Sequence, residues 1–159
     1  MTNHPFLPLY NNDSKILILG SFPSVKSREQ KFFYGHPQNR FWKVVSSVFE
    51  CDEPETIEEK KQFLFENNIA LWDVIASCEI TGSSDSSIKN VKVNDLSKIL
   101  KEADIRQIFV NGRTAEKYFK KYIKAQINTD AICLPSTSPA NAAWSVKRLV
   151  EKWSVLKSI

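Results

Sequence analysis

Residues 15–24, KILILGSFPS, decide the fold because they combine a short run of apolar residues with the turn signals that end a buried strand. Four consecutive apolar residues, Ile16 to Leu19, precede a glycine, and Pro23 follows soon after. A short apolar run bounded by glycine and proline is typical of a strand that is buried on both faces and ends in a turn. Strands of that kind belong to parallel sheets that carry helices on both sides.

Outward from this strand, helix and strand patterns alternate along the chain. The helix patterns are RFWKVVSSVFE at 40–50, TIEEKKQFLFENN at 56–68, VNDLSKILKEADI at 93–105, RTAEKYFKKYIKA at 113–125 and the end of SPANAAWSVKRLVEKWSVL at 138–156. The further strand patterns are IALWDVIAS at 69–77, RQIFVNG at 106–112 and DAICLP at 130–135. Thr56 and Glu59 form a capping-box signature. The alternation predicts an α/β fold: a single three-layer domain over residues 1–159, with a central, mostly parallel sheet flanked by helices.

Composition argues against several classes of protein. The 159 residues are 42% hydrophobic and 25% charged, and the net charge of +4 permits a polyanionic partner without requiring one. No apolar run approaches the ~20 residues of a membrane helix, and no signal-peptide pattern is present, so we expect a cytoplasmic monomer without membrane contact. The three cysteines form no CxxC pair and there are only two histidines, so we expect no metal and no cofactor.

The loops after the predicted strands are the place to look for function, because ligands of such sheets bind beyond the carboxyl ends of the strands. These loops are GSFPS, CEITGSSDSSIKN, NGR and PSTSPANA. They contain no GxSxG, Walker, HExxH or GxGxxG motif. They offer carboxamides and hydroxyls instead, and aromatic residues lie in the segment FFYGHPQNRFW at 32–42. Aromatic rings stack on bases and carboxamides bind base edges, so this chemistry suits a nucleobase pocket.

Five blocks together resemble one family. LGSFPS, FFYGHPQNRFW, LWDVIASCEITGSSDSSI, FVNG and LPSTSPANA occur in order between about residues 17 and 142. The chain thus resembles the uracil-DNA glycosylase superfamily, and within it the hypoxanthine-DNA (deoxyinosine) glycosylase branch. The resemblance implies an α/β fold and a DNA repair enzyme that hydrolyses N-glycosidic bonds.

The resemblance implies that Asn39 is the catalytic residue. In the uracil-removing branches a water-orienting Asp or Asn stands immediately before the proline of the first loop, where this chain has Phe22. A phenyl ring cannot hold a water, and the hypoxanthine branch is thought to use the asparagine of the HPxN block. A carbonyl oxygen of Asn39 could accept a hydrogen bond from water and aim it at C1′. The alternative is that Asn39 caps the helix that follows it.

The resemblance also implies a set of base-binding residues. Asn111 corresponds to the residue that contacts the flipped base, and its amide could match the N1–H and O6 edge of hypoxanthine; the alternative is an Asn-Gly turn. Phe33 or Tyr34 would stack on the base, although either could lie in the core. The remaining base-binding candidates, from the first loop, are Gly20, Ser21 and Phe22.

A further loop is expected to contact DNA. In PSTSPANA, the resemblance implies that Ser136 and Ser138 bind phosphates and that Ala140 and Asn141 form the wedge that enters the duplex. Ala140 is small, which argues against strong intercalation, and the loop could also be an ordinary Ser-Pro turn. Lys147 and Arg148 follow it and are candidates for phosphate contact. The roles of His36 and Asp85 stay open.

The resemblance implies an enzyme that releases hypoxanthine from deoxyinosine in DNA. We expect it to be monofunctional, without lyase activity, because no lysine stands in the motifs as a Schiff-base nucleophile. The partner is then DNA that contains a deaminated base. Three alternatives remain: a uracil-preferring glycosylase, an enzyme of free nucleosides, and a non-catalytic module that binds damaged DNA.

Overall fold

A computed structural model describes residues 1–159 and shows two sheets with helices around them. The strands are β1 Thr2–Asn3, β2 Ile16–Gly20, β3 Ile69–Asp73, β4 Ile75–Glu79, β5 Lys89–Val93, β6 Gln107–Asn111 and β7 Ile132–Leu134. The α-helices are α1 Val25–Gln30, α2 Phe41–Val48, α3 Ile57–Glu66, α4 Ser97–Glu102, α5 Arg113–Tyr118, α6 Lys124–Ile127 and α7 Val146–Trp153. The larger sheet has four parallel strands in the order β3-β2-β6-β7.

Strand β2 lies inside this sheet and supplies both cores. Ile16 and Ile18 pack on one face with apolar residues of α2, α3 and α7. Leu17 and Leu19 pack on the other face with residues of α4 and α5. Side chains alternate between the faces of a strand, so a continuous apolar run is what two helical layers require. The predicted three-layer α/β fold with a parallel sheet is confirmed.

The segment at 69–77 departs from the prediction of one strand. The structure divides it at Val74 into β3, in the parallel sheet, and β4, in a three-stranded antiparallel sheet with the order β1-β4-β5. The main-chain N–H groups of Val74 and Ile75 donate to the carbonyls of Gly20 and Ser21, which carries the chain across the end of β2. β5, KNVKV, has only two alternating apolar residues, Val91 and Val93, which is too short a pattern to predict a strand, and the loop predicted up to Asn90 was wrong at Lys89 and Asn90.

Helix boundaries follow local sequence signals to different degrees. Thr56 caps α3 and forms the predicted capping box with Glu59. The helix predicted at 113–125 is interrupted by a π-helical segment at Phe119–Ile123, between α5 and α6. Helix α4 is shorter than its pattern because β5 takes up the first residue of that pattern and the Asn94 side chain donates to the carbonyls of Asp73 and Ile75, at the junction of β3 and β4.

The carboxyl ends of β2, β3, β6 and β7 meet at one edge of the parallel sheet. The loops predicted to carry function therefore lie side by side, together with the start of α2. None of the helices combines the length and the apolar character that crossing a membrane requires.

Trp153 should be among the side chains that stabilise this arrangement most. It is fully buried, packs edge-on to Phe41 and donates from Nε1 to the carbonyl of Pro135 at 2.9 Å. We expect Trp153→Phe to lower the free energy of unfolding by about 1–3 kcal/mol, because it leaves that carbonyl unpaired, and Trp153→Ala by about 3–5 kcal/mol. Urea denaturation measures both. The exposed Ile57→Ala serves as the control, and a Trp153→Phe variant as stable as that control would contradict this role.

Candidate active site

A cleft of about 430 Å³ opens at the carboxyl edge of the parallel sheet. Its floor comes from the ends of β2, β3 and β6, and its walls come from the segment at 33–39, the serine-rich loop after β4 and the loop after β7. All the catalytic and base-binding residues predicted from the sequence line it: Gly20, Ser21, Phe22, Phe33, Tyr34, Asn39 and Asn111. Residues with hydroxyl or amide groups are frequent in its lining, as the sequence indicated, although more of its surface is apolar than polar.

Asn39 stands in the turn that precedes α2. Its Oδ1 accepts hydrogen bonds from the main-chain N–H of Phe41 and from the hydroxyl of Thr137, both at 2.9 Å. The first bond is the local, cap-like contact that the sequence offered as an alternative, although α2 has Arg40 as its N-cap residue. Both lone pairs of the oxygen are thus in use, and Nδ2 is the amide group left without a partner in the protein.

Thr137 joins the two asparagines of the site. This residue is fully buried, and its hydroxyl accepts from Asn111 Nδ2 at 3.0 Å while it donates to Asn39. Its main-chain N–H donates to Asn111 Oδ1 at 3.1 Å. The second N–H of Asn111 donates to the hydroxyl of Tyr34 at 3.3 Å. Sequence reasoning missed Thr137, whose only signal was its place between two serines of the STS segment.

The three aromatic candidates occupy different positions. Phe33 is buried among Phe6 and Phe32, and Tyr34 stacks on Phe41 with ring centroids 4.0 Å apart. Burial raises the pKa of the Tyr34 hydroxyl, the negative charge of Asp73 raises it further, and the hydrogen bond from Asn111 offsets this in part. Tyr34 therefore keeps its proton at neutral pH. The ring of Phe22 lies below the guanidinium of Arg28, at 5.7 Å.

Asp73 brings a carboxylate to the floor of the cleft, which the sequence analysis did not anticipate. It is the last residue of β3 and only 4% exposed. Its Oδ2 accepts from His4 Nε2 at 2.7 Å, and its main-chain carbonyl accepts from Asn94 at 2.8 Å. A side chain at Gly20 would place its Cβ 2.4 Å from Asp73 Oδ1, so glycine is required there. The available signal was an acid within the apolar run LWDVI.

The two residues left open by the sequence stand at the mouth of the cleft. Asp85 accepts hydrogen bonds from the Ser21 hydroxyl at 3.2 and 3.4 Å. Burial of the Asp85 carboxyl raises its pKa above the ordinary value of 3.8, although the residue as a whole is exposed. Hydrogen bonds from Ser21 and Thr114 lower the pKa and offset part of this effect. His36 lines the cleft, and its Nδ1 accepts from the main-chain N–H of Gln38.

The loop after β7 is held by Arg40, at the start of α2. The Arg40 guanidinium donates to the carbonyls of Ser138 and Asn141 at 2.9 and 3.0 Å, and also to that of Trp144. Within the loop, the Ser136 and Ser138 hydroxyls accept from main-chain N–H groups two residues on, and Asn141 donates to the Ser136 carbonyl. The loop after β7 is therefore closed by hydrogen bonds of its own serines and is also fixed to the start of α2 by Arg40.

Of the remaining DNA-binding candidates, Ala140 lies in this loop and Lys147 and Arg148 lie in the first turn of α7. Ala140 and Lys147 are exposed. Arg148 is exposed too, and its guanidinium covers the ring of Trp144 at 4.1 Å. No group of three or more His, Cys, Asp or Glu side chains is placed to hold a metal ion.

The architecture and the cleft define a class: an α/β protein with a cleft lined by hydroxyls, amides and aromatic rings at the carboxyl edge of a parallel sheet. The family model of the Uracil DNA glycosylase superfamily matches residues 7–159. The chain therefore belongs to the uracil DNA glycosylase superfamily.

Individual relatives agree with this membership. A protein of Methanosarcina acetivorans named hypoxanthine DNA glycosylase is 35% identical over 160 residues, covering 99% of each chain. A protein of Methanosarcina barkeri with the same name is 31% identical over 157 residues, covering 97% of each chain. The solution NMR structure of a candidate uracil DNA glycosylase from Methanosarcina acetivorans superposes with a TM-score of 0.81 at 33% identity, covering 96% of this chain and 95% of that one.

The hydroxyl of Thr137 should be essential for holding the two asparagines. We expect Thr137→Val, which keeps the shape of the side chain, to lower the free energy of unfolding by about 1–3 kcal/mol, because a donor on Asn111 and an acceptor on Asn39 lose their partner. Thr137→Ser keeps the hydroxyl and is the matched control. Urea denaturation compares the two variants, and equal stability of the Val and Ser variants would show that the hydroxyl does not stabilise the fold.

Proposed function

We propose that this chain is a monofunctional DNA glycosylase that hydrolyses the N-glycosidic bond of deoxyinosine and releases hypoxanthine. The observation that carries the proposal is near-full-length similarity to two proteins named hypoxanthine DNA glycosylase. The cleft supports it, because amides, hydroxyls and aromatic rings are the groups that bind a flipped base. No lysine lines the cleft, which favours simple hydrolysis over a Schiff-base reaction.

In the proposed reaction the base leaves the duplex and enters the cleft, while its sugar stays at the mouth. The bond between C1′ and N9 breaks and its electron pair goes to the base. A water oxygen bonds to C1′ of the oxocarbenium-like sugar and loses a proton, and the base takes up a proton. Such a sugar is electrophilic enough that the water needs to be positioned more than deprotonated.

Asn39 is proposed to position that water. Because Oδ1 is already bonded to Phe41 and Thr137, the free Nδ2 would donate to the water oxygen, which keeps a second lone pair for C1′. Asn111 is proposed to take part in base recognition with the remaining lone pair of its Oδ1 and through its bond to Tyr34. Phe22 would form an apolar part of the wall.

The loop after β7 is proposed to face the DNA backbone. Ser136 and Ser138 would contact phosphates, and Ala140 with Asn141 would stand where the extruded base leaves a gap. Arg40 supports this because its side chain bonds to four carbonyls of the segment that contains the loop and fixes them in place before any DNA binds. A small wedge residue favours bases that are already weakly paired, since their extrusion costs less.

Purified protein should release hypoxanthine from a duplex that contains one deoxyinosine, measured by alkaline strand scission. Asn39→Ala should lower the single-turnover rate on the order of 10²- to 10³-fold while keeping most of the DNA affinity, because it removes a positioning group at the reacting centre. Duplexes with uracil or xanthine test the uracil-preferring alternative, and Asn111→Ala should reduce discrimination among the three.

The exposed Asn12→Ala is the control for Asn39→Ala and should match wild type. Wild-type protein that retains inosine-containing duplex without releasing any base would replace the proposal by a non-catalytic binding module. Release from free deoxyinosine at the same rate as from the duplex would indicate an enzyme of nucleosides.

Lys147 should contribute to DNA affinity through phosphate contact. We expect Lys147→Gln to weaken duplex binding for every base and to reduce the slope of log K against log salt by about 1, because one fewer counterion is released. Fluorescence anisotropy between low and physiological salt measures the slope. Lys98→Gln, an exposed change on α4, is the matched control, and equal slopes for the two variants would remove Lys147 from the interface.

A further inference from the structure

Two side-chain oxygen atoms, Asp73 Oδ1 and the Tyr34 hydroxyl, both approach the backbone of Gly20 in the cleft. A Cβ at Gly20 would lie 2.4 Å from Asp73 Oδ1 and 3.2 Å from the Tyr34 hydroxyl, so both groups occupy the space that a side chain would take. Gly20 and Asp73 are direct partners in the pairing of β2 with β3. The two side chains are therefore placed by the sheet itself and by the stacking of Tyr34 on Phe41.

The partners of these oxygens determine which one donates and which one accepts. His4 Nδ1 accepts from the N–H of Phe6, so the ring proton is on Nε2 and is donated to Asp73 Oδ2. Asp73 Oδ1 has no partner in the protein and is an acceptor. The Tyr34 hydroxyl accepts from Asn111 Nδ2, so its own proton is free to be donated. One donor and one acceptor thus lie close to Gly20 in the cleft.

Such a pair complements one kind of base edge. Hypoxanthine, xanthine and uracil present a lactam edge, with a carbonyl acceptor next to a ring N–H donor. Adenine and cytosine, from which hypoxanthine and uracil arise by deamination, present the reverse, with an amino donor next to a bare ring nitrogen. Resting on the proposed function, we propose that Tyr34 O–H and Asp73 Oδ1 recognise the lactam edge, with Tyr34 donating to O6 and Asp73 accepting from N1–H of hypoxanthine.

Depth in the cleft favours this role over a role at the sugar. Asp73 ends β3, one of the strands that form the floor, and is 4% exposed, while Tyr34 comes from the wall and brings its hydroxyl to Gly20 at the end of β2. A base inserted from the duplex reaches the floor with its outer edge, while C1′ remains at the mouth because the sugar is tied to the DNA backbone. A carboxylate facing the bare N1 of adenine would place two acceptors together, which is a repulsive contact.

His4 makes Asp73→Asn an informative variant. The Nε2–H of His4 needs an acceptor, so the carboxamide at position 73 would turn its oxygen to His4 and its NH₂ group to the cleft. The acceptor at the floor then becomes a donor of nearly the same shape. The NH₂ donor at position 73 would repel the N1–H of hypoxanthine and could donate to the bare N1 of adenine.

Binding is measured on duplexes that carry a 2′-fluoroarabino analogue of deoxyinosine or of deoxyadenosine, whose glycosidic bond resists hydrolysis. Wild type should prefer the inosine analogue. We expect Asp73→Asn to reduce the ratio of the two affinities on the order of 10- to 100-fold. Asp13→Asn, an exposed carboxylate outside the cleft, should leave the ratio unchanged. An unchanged ratio in folded Asp73→Asn, with only the rate of base release lowered, would overturn the proposal and place Asp73 in the chemical step.

Tyr34→Phe tests the hydrogen bond that Tyr34 is proposed to donate to O6. It also keeps the proposal testable if the Asp73→Asn variant does not fold. It keeps the ring stacked on Phe41 and removes the hydroxyl. We expect weaker binding of the inosine analogue with little change for the adenosine analogue. Equal losses for both analogues would contradict a role in edge recognition. Wild-type protein that releases no base but still prefers the inosine analogue would defeat the proposed function and leave this recognition standing.

Discussion

The burial of β2 on both faces is the constraint on which the rest of the molecule depends. All five of its residues are buried, and alternate side chains enter the two cores that hold the helical layers. The same strand pairs in register with β3 and β6, so Gly20 lies beside Asp73 and Asn111 follows the partner of Leu19. The floor of the cleft is therefore set by sheet hydrogen bonds, and the loops contribute its walls.

The cleft combines a neutral network with a single carboxylate at its floor. Thr137 ties Asn39 to Asn111, and Arg40 ties the loop that carries Thr137 to the start of α2. Buried polar groups that are fully paired are rigid, because breaking any one bond leaves an unsatisfied partner in a region of low dielectric. This rigidity fixes the few polar atoms that remain free, and the proposed chemistry uses those atoms.

The parts of the fold that periodicity governs could be predicted from the sequence, and the long-range pairs could not. β2, β6, β7, α2, α3 and α7 follow apolar patterns, and their order places the functional loops at one edge. β5 is short and mostly polar, and its two alternating residues, Val91 and Val93, are too few to distinguish a strand from a loop. Asp73 finds its partner His4 sixty-nine residues away along the chain, and Thr137 is buried only because the loop closes over it. A local pattern contains no information about such contacts.

The shortest strand has a consequence for the charge at the floor. β1 has only two residues, and the residue that follows it, His4, bonds through its main-chain N–H to Ala76 and through its ring to Asp73. The imidazole is buried and packs edge-on to Phe6, Phe22 and Trp72. The orientation of the carboxylate in the cleft therefore depends on how the first residues of the chain pack against the sheet.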